Sequence, residues 1–344
     1  MTGATRRSLI SSLATIAFTT SRTPARGLAM PRIMTSSSWR TRLFELKVLD
    51  GPLAGAFRVR AGGGINWYFS HRAMWFVVDY DPGTVVRYLD LYLNEILLGS
   101  GYALDRGDNL VTTEFPDSHD AYAGAVLSLA ARYATATEDF DWLRDRGPKL
   151  ATIADANILS QAKPNGLIRV YQTPHMNGMG YLMDQCECYA GLRDFGRALE
   201  VANHRSASVY ADAAARLGEA INAILYDPQT KGWRSSDGAT TIEQRWYPDL
   251  AAQVFPHLYG VVTSERERDL TRYADGYAFL CSGAPEWWDR LYDPFPWLVI
   301  AYYVASRLGD TERAHRMLAT AASLPPDRFT VMDLAYADAV ATAL

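Results

Sequence analysis

Helical periodicity along most of the chain, long connections only at alternate joints, and helix starts crowded with acids and aromatics together predict an all-α fold: a ring of paired helices, the (α/α)6 toroid. Apolar residues recur at helical spacing near 67–81, 84–98, 118–136, 139–160, 181–202, 205–225, 248–261, 264–275, 286–307, 311–323 and 333–344, with almost no competing strand pattern. Asp81-Pro82-Gly83, Gly309-Asp310 and Pro325-Pro326 are short punctuation, and helices joined this tightly are antiparallel neighbours. The longer joints, 99–117, 161–180, 226–247 and 276–285, deliver the chain into helix starts that carry function-bearing residue types.

The first of these starts reads Asn66-Trp67-Tyr68-Phe69-Ser70-His71, the second Asp117-Ser118-His119-Asp120-Ala121-Tyr122, the third Tyr181-Leu182-Met183-Asp184-Gln185-Cys186-Glu187. Arg245-Trp246-Tyr247-Pro248-Asp249, Glu286-Trp287-Trp288-Asp289 and Met332-Asp333-Leu334-Ala335-Tyr336 continue the series. In a toroid these are the inner helices, whose N-terminal ends share one rim of a central funnel. The segments supply five hairpins and a closing helix, so the sixth outer helix is either missing or supplied by 36–47. A plain helical solenoid is the architectural alternative, but no fixed-length repeat supports it.

The chain has 344 residues, 49% hydrophobic and 21% charged, with a net charge of -4. It can bury a large core and has no global attraction for nucleic acid or an anionic membrane. Its 9 Trp and 20 Tyr suit both cores and sugar-stacking clefts. Residues 1–44 contain no acid, whereas Arg6, Arg7, Arg22, Arg26, Arg32, Arg40 and Arg42 precede the first carboxylate, Glu45. That asymmetry marks 1–35 as a targeting segment ahead of a single domain, 36–344. Arg6-Arg7 before a mildly apolar stretch is similar to a twin-arginine export signal, giving a periplasmic or extracellular protein; a transit peptide, or a cytoplasmic protein starting at Met30 or Met34, are the rivals. The apolar stretch is too short to span a bilayer.

Cys186, Cys188 and Cys281 have no metal-ligand spacing and read as buried thiols; in an oxidising compartment one of the first two could bridge to Cys281. Walker-A, H-E-x-x-H and D-D-x-x-D patterns are absent, and Gly62-Gly63-Gly64 precedes no phosphate-binding turn. No cofactor and no metal are expected, and oligomeric state is left open.

From about residue 60 onward, the hairpin order and motifs such as Asp117-Ser118-His119-Asp120-Ala121-Tyr122 and Trp246-Tyr247-Pro248-Asp249 resemble the six-hairpin glycosidase superfamily, whose members carry acids at the inner-helix rim. No signature of one hydrolase family accompanies this. Leu182-Met183-Asp184 with Tyr189 is similar to the Asp-bearing helix of unsaturated glucuronyl hydrolases.

Glycoside hydrolysis needs two carboxyl groups, one protonated as general acid and one ionised. Asp117 and Asp120 lie one helical turn apart, as do Asp184 and Glu187, so each pair crowds its charges and raises a pKa. The expected roles are Asp184 as acid, Asp120 as base, and Asp117 and Glu187 orienting them. Trp67, Tyr68, Tyr122, Trp246, Tyr247, Trp287 and Trp288 are candidate sugar-stacking residues; His71, His119, His175, Arg245 and Asp249 are candidate polar contacts. Plain structural readings stand beside these: Asp117 as a helix cap, Asp120 and Asp249 as complements of helix dipoles, Glu187 as a solvated charge, and the aromatics and histidines as core.

The function expected is a glycosidase acting on a poly- or oligosaccharide. A lyase or sugar epimerase using Tyr247, His119 and Arg245 is the second class, and a non-catalytic carbohydrate-binding protein the third.

Overall fold

A computed structural model describes residues 35–170 and 178–342. Twelve α-helices are found among them: α1 (Ser36–Glu45), α2 (Trp67–Val77), α3 (Pro82–Leu91), α4 (His119–Thr137), α5 (Phe140–Asn157), α6 (Leu182–Val201), α7 (Ala207–Leu225), α8 (Phe255–Leu258), α9 (Arg266–Gly283), α10 (Leu298–Leu308), α11 (Thr311–Ala321) and α12 (Val331–Thr342). Local chemistry starts several of them. Asn66, Asp81, Asp139 and Asp310 accept a backbone N–H of the first turn of α2, α3, α5 and α11 respectively, and Pro82 occupies the first turn of α3, where no N–H is needed.

Packing closes the ring. Helix α2 touches α4, α4 touches α6, α6 touches α8, α8 touches α10, α10 touches α12, and α12 returns to α2. Outside it, α3 lies against α2 and α4, α5 against α4 and α6, α7 against α6, α9 against the segment 246–254 that leads into α8, and α11 against α10 and α12. The sixth outer helix, left open by the sequence, is α1, which packs against α12 although the two lie at opposite ends of the chain. Ser36 Oγ donates to Asp338 Oδ1 at 2.7 Å, Arg40 Nε donates to Asp338 Oδ2 at 3.2 Å, and the fully buried Trp39 meets Phe329 with ring centroids 5.4 Å apart.

Two inner positions depart from the expectation. The fourth inner helix is broken into a π-helical turn Trp246–Leu250, a 3-10 turn Ala251–Val254 and α8. Pro248 and Pro256 lack the N–H that an unbroken α-helix would use. The fifth was expected from 286 but starts at Leu298, with 286–297 outside any helix. Pro294 and Pro296 explain this, because each disfavours α geometry in the residue before it. Helix α9 conversely runs on to Gly283, into the joint expected at 276–285.

One contact controls the centre. A Cβ on Gly124 of α4 would lie 2.6 Å from the Glu187 carbonyl oxygen of α6, and one on Gly191 would lie 2.5 Å from the Gly124 carbonyl oxygen. The two backbones therefore touch where only glycine fits. Asp120 is one turn before Gly124, so this approach brings the acid-bearing ends of α4 and α6 together.

Candidate active site

Ser118, at the N-cap of α4, links two carboxyl groups: its Oγ lies 2.9 Å from Asp120 Oδ1 and 2.8 Å from Asp184 Oδ2. A hydroxyl has one hydrogen. Ser118 can donate fully to only one of these oxygens. A proton on either carboxyl, donated to Ser118 Oγ, would satisfy both contacts at full strength. Burial drives both in that direction: Asp120 is fully buried and its carboxyl is pushed up to about 7, chiefly by desolvation. Desolvation, then the charges of Asp120 and Glu187, hold half-buried Asp184 well above the usual carboxylate range.

Glu187 lies one turn deeper on α6 and is 2% exposed. Its Oε1 accepts the hydroxyls of Tyr68 at 2.6 Å and Tyr259 at 2.7 Å. Burial raises its pKa, while Arg72 and these hydroxyls oppose the shift. Buried Arg72 in turn donates from Nη2 to Tyr336 Oη at 3.0 Å and lies over the Tyr259 ring, 4.9 Å from its centroid. The result is a layer of tyrosines and one guanidinium around a buried acid beneath the Asp120–Asp184 pair. A solvated charge it is not.

Asp117 is exposed and close enough for its charge to act on Asp184 and on Tyr247. Tyr247 is 53% exposed and packs on Trp297, with centroids 5.2 Å apart. Tyr68 is half-buried beside Tyr122.

Several expected substrate contacts are buried in the core or engaged by partners of their own. Trp67 and Trp287 have no exposure and belong to the core; Trp67 Nε1 donates to the Leu104 carbonyl at 2.9 Å. His71 is fully buried against Tyr88, its Nδ1 2.8 Å from the phenol oxygen, and desolvation lowers its pKa to about 3. His119, 2% exposed, packs on Tyr102, with burial lowering its pKa to about 4; both histidines are neutral structural groups. The Tyr122 hydroxyl donates to Asp105 Oδ2 at 2.6 Å. Trp288 lies under Arg313 and Arg316 of the outer helix α11, and Trp246 stacks on Tyr292 at 5.2 Å. Arg245 pairs with Asp249 at 3.0 Å and Glu243 at 3.1 Å, and Asp249 is 2% exposed. His175 lies outside the described residues. These departures share a cause: an aromatic at an inner-helix start can point along the ring wall as readily as into the funnel, and local sequence does not choose between them.

The sequence reading did not single out Ser118, Tyr259, Arg72, Tyr336, Asp105 or Trp297. Ser118 was visible inside its motif, but its role depends on a partner 66 positions away. The thiols of Cys186, Cys188 and Cys281 are free. Among the described residues no group of three or more His, Cys, Asp or Glu is placed to hold a metal ion, and no helix is long and apolar enough to cross a membrane.

Comparison with known structures decides the architecture. A solved glycosidase carrying a Phe-to-Tyr substitution superposes with a TM-score of 0.64 at 13% identity, covering 90% of this chain and 95% of its own. The fold is an (α/α)6 toroid shared with this glycosidase. A GH76 α-mannanase of Bacteroides thetaiotaomicron matches with a TM-score of 0.58 at 12% identity, over 89% of this chain and 94% of the mannanase. A GH78 rhamnosidase of Bacillus sp. GL1 gives 0.54 at 16% identity; the match covers 90% of this chain but 35% of that enzyme. No family model and no curated protein matches the sequence.

The buried acids make a stability prediction. Asp120 and Asp105 are raised to about 7 and Asp333 to about 6, each chiefly by burial, against about 3.9 in an unfolded chain. Between those limits the folded protein binds more protons than the unfolded one, so stability is greatest near the lower limit and is lost as pH rises through the folded values. Thermal unfolding is expected at a lower temperature at pH 8 than at pH 5, and Asp120→Asn should flatten the slope. A melting temperature that rises between pH 5 and pH 8 would contradict this assignment.

Proposed function

We propose that this protein is a glycoside hydrolase in which Asp184 is the general acid. The observation that carries the reading is the Ser118 bridge, which joins two carboxyl groups at an inner-helix rim and is fully satisfied when the pair holds one proton. Asp184, the more accessible member, delivers that proton to the glycosidic oxygen as the bond to the anomeric carbon breaks. Asp120 was expected to be the base. Fully buried and joined to the acid through one hydroxyl, it has no access to a water on the far side of a sugar. It acts instead on the acid's pKa, with Glu187 adding negative charge from below. The exposed Asp117 takes the role of second carboxylate, activating the attacking water or stabilising positive charge at the anomeric carbon.

The neighbours' activities supply candidate substrates, α-mannan and rhamnose-containing glycans, to which neutral and uronate polysaccharides are added. Mass spectrometry of soluble products tests the class: fragments carrying one added water support a hydrolase, and unsaturated fragments would overturn it. Ser118→Ala is expected to lower kcat about tenfold or more while leaving KM within a few-fold, because it loosens the acid without removing a sugar contact. Unchanged kcat would remove Ser118 from the mechanism.

The lyase or epimerase reading loses support because its three groups do not assemble: His119 is buried beside Tyr102, and Arg245 is engaged by two carboxylates. The export reading rests on residues 1–34, outside those described; mature N-terminus sequencing after expression in an exporting host tests it.

A further inference from the structure

Trp297 has a backbone that its side chain does not favour. Its φ of 47° and ψ of 45° are left-handed, a conformation that costs a bulky residue but not glycine. It sits between Pro296 and the first residue of α10, where glycine would end the loop without strain. Half-buried, its ring meets exposed Tyr247 at a centroid distance of 5.2 Å and an interplanar angle of 33°. Its indole Nε1 is buried without a hydrogen-bond partner among the described residues. The core tryptophans Trp39, Trp233 and Trp287 share that unpartnered N–H, so what sets Trp297 apart is its left-handed backbone, a strain that an indole used only as filler would not need. Tyr247 starts the fourth inner helix as Asp184 starts the third, and the charges of Asp184 and Asp117 act on it, so the aromatic pair lies on the rim that carries the acids.

We infer that Trp297 and Tyr247 form the sugar-binding platform beside Asp184, holding the C–H face of an uncharged pyranose whose glycosidic oxygen meets the acid. The inference rests on the hydrolase reading for its catalytic partner, but platform and acid fail separately. A pyranose offers one face of C–H groups that complements an aromatic surface, with hydroxyls left for polar neighbours. The exposed Asp117 and the ionised member of the Asp120–Asp184 pair disfavour an anionic sugar, whose carboxylate would add another negative charge at close range. The left-handed turn at Trp297 then has a use: it holds the indole against Tyr247 before any sugar arrives.

Binding is measured by calorimetry in the Asp184→Asn protein with mannohexaose, cellohexaose, maltohexaose and hexagalacturonate as probes. A neutral hexaose is expected to bind and hexagalacturonate is not. Trp297→Gly should weaken binding of that hexaose about tenfold or more, as loss of an aromatic anchor does, whereas Trp297→Tyr should retain most of it. Because glycine fits the backbone, relief of the left-handed strain offsets part of the packing that the half-buried indole gives up in Trp297→Gly. Binding lost in Trp297→Gly while the variant still unfolds cooperatively, and retained in Trp297→Tyr, is a result that a tryptophan serving the core alone would not produce. Failure of every neutral hexaose to bind, preference for hexagalacturonate, or unchanged affinity in Trp297→Gly would each overturn the inference. Failure of the catalytic reading shows independently, as hydrolysis retained by Asp184→Asn.

Discussion

Asp184→Asn is expected to reduce kcat by about 10²–10⁴-fold on any glycan the protein cleaves, the range associated with losing a positioned general acid. The amide keeps the size of the carboxyl group and can still hydrogen-bond Ser118, so the loss should fall on kcat with little change in KM. Replacing a half-buried acid whose pKa is raised by a neutral isostere also removes the cost of ionising it, so the variant should be at least as stable as the parent at pH 8. Chemical denaturation alongside initial rates separates the two effects. Full activity in a folded Asp184→Asn protein would remove Asp184 as the acid; lost activity together with lost structure would make it a fold residue.

The pH profile adds a discriminating test of Asp120. If it raises the pKa of Asp184, Asp120→Asn should shift the alkaline limb of kcat toward acid pH while leaving measurable activity. A base would behave differently, with activity lost across the whole profile.

Gly124→Ala is the second large expected effect. The added methyl would meet the Glu187 carbonyl oxygen at 2.6 Å and the Cys188 nitrogen at 2.8 Å, both backbone atoms held by α6. Neither can move without shifting a helix. Overpacking of this kind costs about 1–3 kcal/mol, which urea unfolding resolves as a lower midpoint at unchanged slope. Separation of α4 from α6 should also stretch the Ser118–Asp184 contact, which crosses between them, and lower kcat. Stability loss without a change in kcat would show that the approach of these helices serves packing alone.

Much of this architecture was legible in the chain. Punctuation such as Asp81-Pro82-Gly83 and Gly309-Asp310 acts through backbone preferences of a few adjacent residues, and the alternation of plain and acid-bearing helices follows from it. The start of α10 was misplaced because aromatic spacing at Trp287-Trp288 imitates a helix, while Pro294 and Pro296 prevent one. Asp184 and Glu187 were readable as a crowded pair because both lie on one helix. Ser118 and Arg72 were not, since each acts on residues of other helices.

The sequence by itself determined that the protein is helical, where most hairpins turn, and which helix ends carry acids, because periodicity, caps and proline act over one or two turns. Only the tertiary structure decided which acids meet, which aromatics face the funnel, and that α1 completes the ring against α12. Those outcomes depend on contacts between distant segments, above all the approach of Gly124 to α6, whose free energy appears only once the helices have packed.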